Sequence, residues 1–130
     1  IVLEVFEHIK LPGKAIKEIY RILKPNGVLI LSIPFIFPIH DEPNDFQRWT
    51  LQGCRLLTHQ FQNVKISNKN NELISIFVFL SRLFFSSSNF LLRLLGAIFI
   101  FMGSLLPSQI FLHSKKYSRI STGYLITAEK

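Results

Sequence analysis

His40, Asp45 and Arg48 stand close together in one proline-punctuated stretch, residues 34–49, and their types suit the handling of a hydroxyl or an anion. An imidazole can take a hydroxyl proton near neutral pH, a nearby carboxylate can orient it, and a guanidinium can grip an anionic group. Asp45 and Arg48 are three residues apart, so an ion pair that simply staples the loop is the competing reading. Glu4, Glu7 and His8 form a second polar group near the start of the chain. Its bland alternative is a capped turn in which Glu7 meets the positive end of the next helix and His8 packs. His8, His40 and Asp45 lack the tight spacing of a metal centre, and the reading assigns no metal.

Whether the two polar groups meet depends on the elements that carry them. Ile1-Val2-Leu3 reads as the end of a buried strand, and residues 4–11 as a polar turn closing at Pro12-Gly13. Ala15, Ile16, Ile19, Tyr20, Ile22 and Leu23 fall at helical spacing, with Lys14, Lys17, Glu18, Arg21 and Lys24 on the other face. Lys24-Pro25-Asn26-Gly27 stops that helix with a cation, a breaker and a residue suited to positive φ. Residues 28–33 are nearly all apolar, the pattern of a strand covered on both faces in a parallel sheet. Strand, helix, strand is one right-handed crossover, so both strands end on the same sheet edge. Ligands of open α/β sheets bind outside that edge, and both polar loops emerge there.

Thr50 caps a helix over residues 51–59, with Leu56 and Leu57 on its buried side and Cys54 as packing. Residues 61–66 alternate as an outer strand, and residues 124–127 read as a last short strand. The domain plan is therefore a core over residues 1–71, an apolar helical hairpin inserted over 72–112, and a basic linker with the final strand over 113–130. Residues 73–85 and 90–106 are apolar around most of the helix, interrupted by Ser75, Ser81, Arg82, Arg93, Ser104 and two glycines. The second run would reach about 25 Å as a helix, at the lower limit for crossing a bilayer. The favoured expectation is a hairpin that dips into one leaflet, with Lys115, Lys116 and Arg119 against anionic headgroups. The alternative is a soluble cap that buries its apolar faces on the sheet or on a second copy, as a homodimer.

Composition narrows the classes further. With 48% hydrophobic residues, 13 Phe and one Cys, the chain is neither disordered nor a disulfide-stapled mini-protein, and lone Cys54 fits a reducing cytoplasm. Residues 1–45 carry five Lys/Arg against six Asp/Glu and residues 46–130 carry ten against two, so the net +7 resides wholly in the second part. Scattered cations and Phe residues gathered in apolar blocks favour an anionic membrane surface over nucleic acid, which is not expected as a partner. The chain opens without Met inside an apolar run, and the expectation is a carboxyl-terminal piece of something longer, or a degenerate relative.

Val5-Phe6-Glu7-His8 after a strand, Arg21-Ile22-Leu23-Lys24-Pro25-Asn26-Gly27 before the next, and the stretch Pro34-Phe35 through Pro38, His40, Pro43, Asp45-Phe46, Arg48 and Thr50 occur in a familiar order. With Gly123-Tyr124 near the end, they resemble the second half of a class I S-adenosylmethionine-dependent methyltransferase of the type 11 sort. The resemblance implies an α/β, Rossmann-like sheet, mostly parallel with an antiparallel last strand, and S-adenosyl-L-methionine as cofactor. It also implies methyl transfer to a small-molecule, lipid-linked or saccharide-linked acceptor; with the lone Cys54 and the apolar hairpin, the expected location is the cytoplasm or the cytoplasmic face of a membrane. Glu4, Val5 and His8 would then lie on the cofactor side. Phe35, Asp45, Arg48 and Trp49 would lie on the acceptor side, with His40 as the catalytic base. Asn26 replaces the family's usual Gly, a mild departure because Asn also tolerates a left-handed backbone. The larger departure is that no G-x-G occurs anywhere, so the chain by itself is expected to bind the cofactor poorly. The competing expectation is a non-catalytic membrane-binding protein on a degenerate methyltransferase scaffold.

Overall fold

The computed structural model describes residues 1–105 and 120–130. The basic residues Lys115, Lys116 and Arg119 lie outside the described residues. The chain divides into two compact units, one of residues 1–35, 39–67 and 123–130, the other of residues 36–38 and 68–122.

The first unit is an α/β sheet unit. Strand β1 (Val2–Leu3) pairs in parallel with β2 (Val28–Pro34), and β2 pairs antiparallel with β4 (Gly123–Glu129), from Val28 opposite Glu129 to Pro34 opposite Gly123. Strand β3 (Gln62–Asn68) completes a mixed four-stranded sheet of order β1-β2-β4-β3. The expected outer strand is thus β3, and the expected antiparallel last strand is β4, longer at both ends than its sequence pattern indicates. Strand β1 departs from expectation. It stands at the sheet edge, and Ile1 and Leu3 are exposed rather than buried because β1 has a paired neighbour on one side alone.

Helix α1 (Pro12–Ile22) starts on its proline, as a residue with no N–H to satisfy should. It turns Ile16, with Ala15, Ile19 and Tyr20, onto the core. The stop after α1 works through Asn26, whose φ is 62°, while Gly27 serves a different need. A Cβ on Gly27 would lie 2.8 Å from the Lys24 carbonyl oxygen, which accepts the Gly27 N–H. Helix α2 (Leu51–Leu57) is capped by Thr50, whose hydroxyl accepts from the Gly53 N–H at 3.1 Å. Its inward residues are Leu51, Cys54 and Leu57, three apart. Leu56 was expected to share that face, yet it is 74% exposed, since two residues beyond Cys54 is more than half a turn around the axis. Phe6, Leu31, Ile33, Phe61, Ile126 and Ala128 complete the core.

The second unit holds α3 (Glu72–Phe85) and α4 (Phe90–Leu105), separated by the expected break at residues 86–89. Asn71 caps α3 by accepting from the Ile74 N–H at 2.8 Å. The helices pack through Phe77, Phe84 and Phe99, with the Phe84 and Phe99 rings stacked 5.5 Å apart. They approach closely at Gly96, where a Cβ would meet the Ser81 carbonyl oxygen at 3.1 Å. The buried positions of these helices are Ser75, Ser81 and Gly96, and apart from Leu92 and Phe99 the large apolar side chains of α4 are exposed, Phe90 at 75%.

Candidate functional site

The site is built where the parallel strands β1 and β2 end. Glu4, the first residue past β1, takes φ 51°. A non-glycine residue is held there by contacts, here from Ser32 of β2. The Glu4 N–H donates to the Ser32 carbonyl at 3.1 Å, and the Ser32 hydroxyl donates to the Glu4 carboxylate at 2.7 Å. The chain then makes a short 3-10 turn over Phe6–His8. Phe6 enters the core, Val5 stays exposed, and Glu7 is completely buried.

The loop after β2 folds back onto that turn. The Phe46 N–H donates to the Glu7 carbonyl at 2.8 Å, and the Gln47 side-chain amide donates to the Ile9 carbonyl at 2.6 Å. The Trp49 ring meets Phe6 edge-on, with centroids 6.5 Å apart. His8 answers with Nδ1, 2.8 Å from the Asn44 carbonyl oxygen, and its ring lies 5.2 Å from that of His40 in a T-shaped arrangement. The two polar groups that the sequence places far apart therefore share one site.

Within the loop, Asp45 is the organising residue. Its carboxylate is nearly inaccessible, forms a fork with the Arg48 guanidinium through both oxygens, and accepts the His40 backbone N–H at 2.9 Å. The Arg48 hydrogen bonds hold the Asp45 carboxyl down at about 2, and Asp45 in turn raises the pKa of Arg48. His40 Nδ1 lies 3.4 Å from Asp45 Oδ2, with a third of the ring exposed. The stapling reading of Asp45 and Arg48 thus describes the geometry, and the staple carries His40 with it. Phe35, also named for the acceptor side, is half-buried and stacks on Tyr124 at 5.7 Å.

Glu7 is the site residue that the sequence analysis left in a capped turn. Both of its carboxylate oxygens are buried with no hydrogen-bond partner among the described residues, and Oε1 stands 3.8 Å from His8 Nε2. Burial pushes its pKa up. The signal available in the sequence was a carboxylate directly before a histidine at a strand's carboxyl end. Cys54 lies in the core, where burial pushes its thiol up to about 12, as befits packing and not nucleophilic chemistry.

A family model described as a methyltransferase domain matches residues 1–80. The chain belongs to this methyltransferase family. The match contains β1, β2, β3 and both loops of the site, so the methyltransferase resemblance of the motifs and the convergence of the loops concern the same residues. No curated protein matches the chain. In a methyltransferase the cofactor brings an already activated carbon. The protein's part is to align an acceptor and, where needed, to remove its proton. The residues at the strand ends fit both tasks: Glu4 and His8 are polar groups on the turn after β1, and His40 is a fixed, partly exposed imidazole on the loop after β2. Methyltransferase domains of this family typically use S-adenosylmethionine, which would supply the sulfonium methyl group; Glu4, Val5 and His8, on and before the turn after β1, are the residues that would hold it.

Proposed function

We propose that this methyltransferase transfers a methyl group from S-adenosylmethionine to a hydroxyl or other nucleophile of a small, lipid-linked or saccharide-linked acceptor. The observation that carries the reading is the clasp between the turn at Phe6–His8 and the loop around His40, which sets the rings of His8 and His40 side by side. Glu4, Val5 and His8 contact the cofactor; Phe35 and Trp49 flank the acceptor, Asp45 and Arg48 position His40, and His40 takes the acceptor's proton. Calorimetric titration of S-adenosylmethionine is run on the 130-residue chain and on a form extended upstream by the Gly-rich half of the family's sheet, followed by transfer of labelled methyl to a panel of lipid and saccharide acceptors. Binding and transfer by the extended form, with His40→Ala lowering transfer by about 100-fold, is the expected result. Absence of binding by both forms overturns the reading.

A second reading, compatible with the first, concerns α3 and α4. It is favoured by their arrangement of small residues inside and large apolar residues outside, with Leu91, Leu94, Phe101 and Leu105 of α4 all exposed. Helices associate in this manner in lipid, where burying apolar surface gives no drive and close approach of small residues does. Among the described residues no helix is long and apolar enough to cross a membrane, so the hairpin is assigned to one leaflet at the cytoplasmic face. Flotation with vesicles tests it: the chain should rise with anionic vesicles and less with neutral ones. A chain that stays at the bottom with anionic vesicles, or that sediments as a dimer with Phe101 protected, is no membrane binder.

A further inference from the structure

Glu7, His8 and His40 each offer one ligand atom, and the three atoms lie within 4.8 Å of one another. Three features of this cluster are those of a cation site and not of ordinary packing. First, Glu7 is completely buried, yet neither carboxylate oxygen has a hydrogen-bond partner among the described residues, an arrangement that costs stability unless a positive charge arrives. Second, His8 is pre-oriented. The Asn44 carbonyl oxygen, 2.8 Å from Nδ1, can only accept, so Nδ1 carries the proton and Nε2 keeps its lone pair, aimed at Glu7 Oε1 3.8 Å away. With His8 neutral and Glu7 ionised, two electron-rich atoms face each other, the arrangement that a cation relieves. Third, His40 Nδ1 is met by the Asp45–Arg48 fork, with Asp45 Oδ2 at 3.4 Å and Arg48 Nη2 at 3.5 Å, while Nε2 has the Asp41 carboxylate 3.9 Å away. A histidine whose other nitrogen meets a carbonyl or a carboxylate is the usual outer layer of a metal ligand.

We infer that Glu7, His8 and His40 form a binding site for a divalent transition-metal cation of the zinc class. Two imidazoles and one carboxylate suit borderline cations such as Zn²⁺, whereas Ca²⁺ and Mg²⁺ require mostly oxygen ligands. A tetrahedral ion sets its donors about 3.3 Å apart, so the loop bearing His40 closes on the turn by about an ångström when the ion enters. At least one coordination position stays open, and it suits an oxygen ligand such as a hydroxyl or carboxylate group. With the ion present, His40 gives its lone pair to the metal, so His40 takes the acceptor's proton in the ion-free chain alone. Asp45, which by sequence could join His8 and His40, is committed to Arg48, and Glu7 stands with the two histidines in its place.

The test is metal binding alone, with neither methyl donor nor acceptor present, so it stands or falls apart from the methyl-transfer reading. The chain, stripped with chelator, is titrated with Zn²⁺ by calorimetry and with Co²⁺ by visible absorption. One ion per chain is expected, with Glu7→Gln, His8→Ala and His40→Ala each weakening Zn²⁺ binding by about 100-fold and Mg²⁺ failing to compete. His59→Ala and His113→Ala leave the affinity unchanged. Glu7→Gln keeps the size of the side chain and His40→Ala changes a partly exposed loop residue, so both should melt as the parent chain does. Absence of stoichiometric Zn²⁺ binding overturns the inference, as does parental affinity in either of these two variants, or an affinity lost with His59 or His113.

Discussion

In the sheet unit Phe6, Leu31, Ile33 and Ile126 are sealed from solvent, whereas in helices α3 and α4 the sealed positions belong to Ser75, Ser81 and Gly96 while Phe90, Leu91, Phe101 and Leu105 face outward. Helix α1 is apolar along one stripe; α4 is apolar around nearly its whole circumference. Under the one-leaflet proposal, the difference is what two solvents would impose on one chain. The first unit gains its stability by taking apolar surface out of water. The second, on that proposal, would gain little that way and rely on shape and close contact, as helices do in a medium that is itself apolar.

The contrast can be broken most forcefully at Phe6. Phe6→Ala should destabilise the sheet unit by about 3–5 kcal/mol in urea unfolding, whereas Phe101→Ala should change unfolding in water by less than about 0.5 kcal/mol and instead lower vesicle flotation. Equal costs at the two positions would erase the distinction. The reverse experiment enlarges a small residue: Gly96→Leu has no room against Ser81, Phe84 and Phe85, and should cost about 1–3 kcal/mol in the helical unit while leaving the sheet unit's melt in place.

Asp45 gives the intermediate effect. Its carboxyl is held at about 2 in the folded loop against an ordinary 3.8, so its contribution is fully present above pH 4, and it is lost as the pH falls toward 2. Asp45→Asn should lower stability by about 1–2 kcal/mol at neutral pH and flatten the acid limb of the stability curve; an unchanged acid limb would show that the fork with Arg48 contributes nothing. The smallest effect is expected at Leu56, where Leu56→Ser should alter the melt by less than about 0.5 kcal/mol, since the side chain already meets water.

The local elements were legible because their signals are local. Pro12 at the start of α1, Asn26 in the left-handed position after it, Thr50 at the start of α2 and residues 86–89 between α3 and α4 each act through their own backbone, and each lies where its chemistry says. Leu56 was misplaced because a hydrophobic residue next to another gives no direction without the phase of the helix, which Cys54 sets. Exposed β1 was misjudged because edge or interior depends on neighbours and not on Ile1-Val2-Leu3 itself. Of the site, the convergence of the two loops followed from one crossover rule. Glu7 did not, because a buried carboxylate with no partner is a property of what surrounds it, and its type alone would send it to the surface.

The clasp between turn and loop is made to the backbone carbonyls of Glu7 and Ile9, by the Phe46 N–H and the Gln47 amide. Every residue type has such a carbonyl. The hydrogen bonds that hold the loop bearing His40, Asp45 and Arg48 at the sheet edge therefore do not depend on which side chains stand at positions 7 and 9. Position and chemistry are inherited separately in this site, so a lineage could change what is bound there, residue by residue, on a frame that stays put.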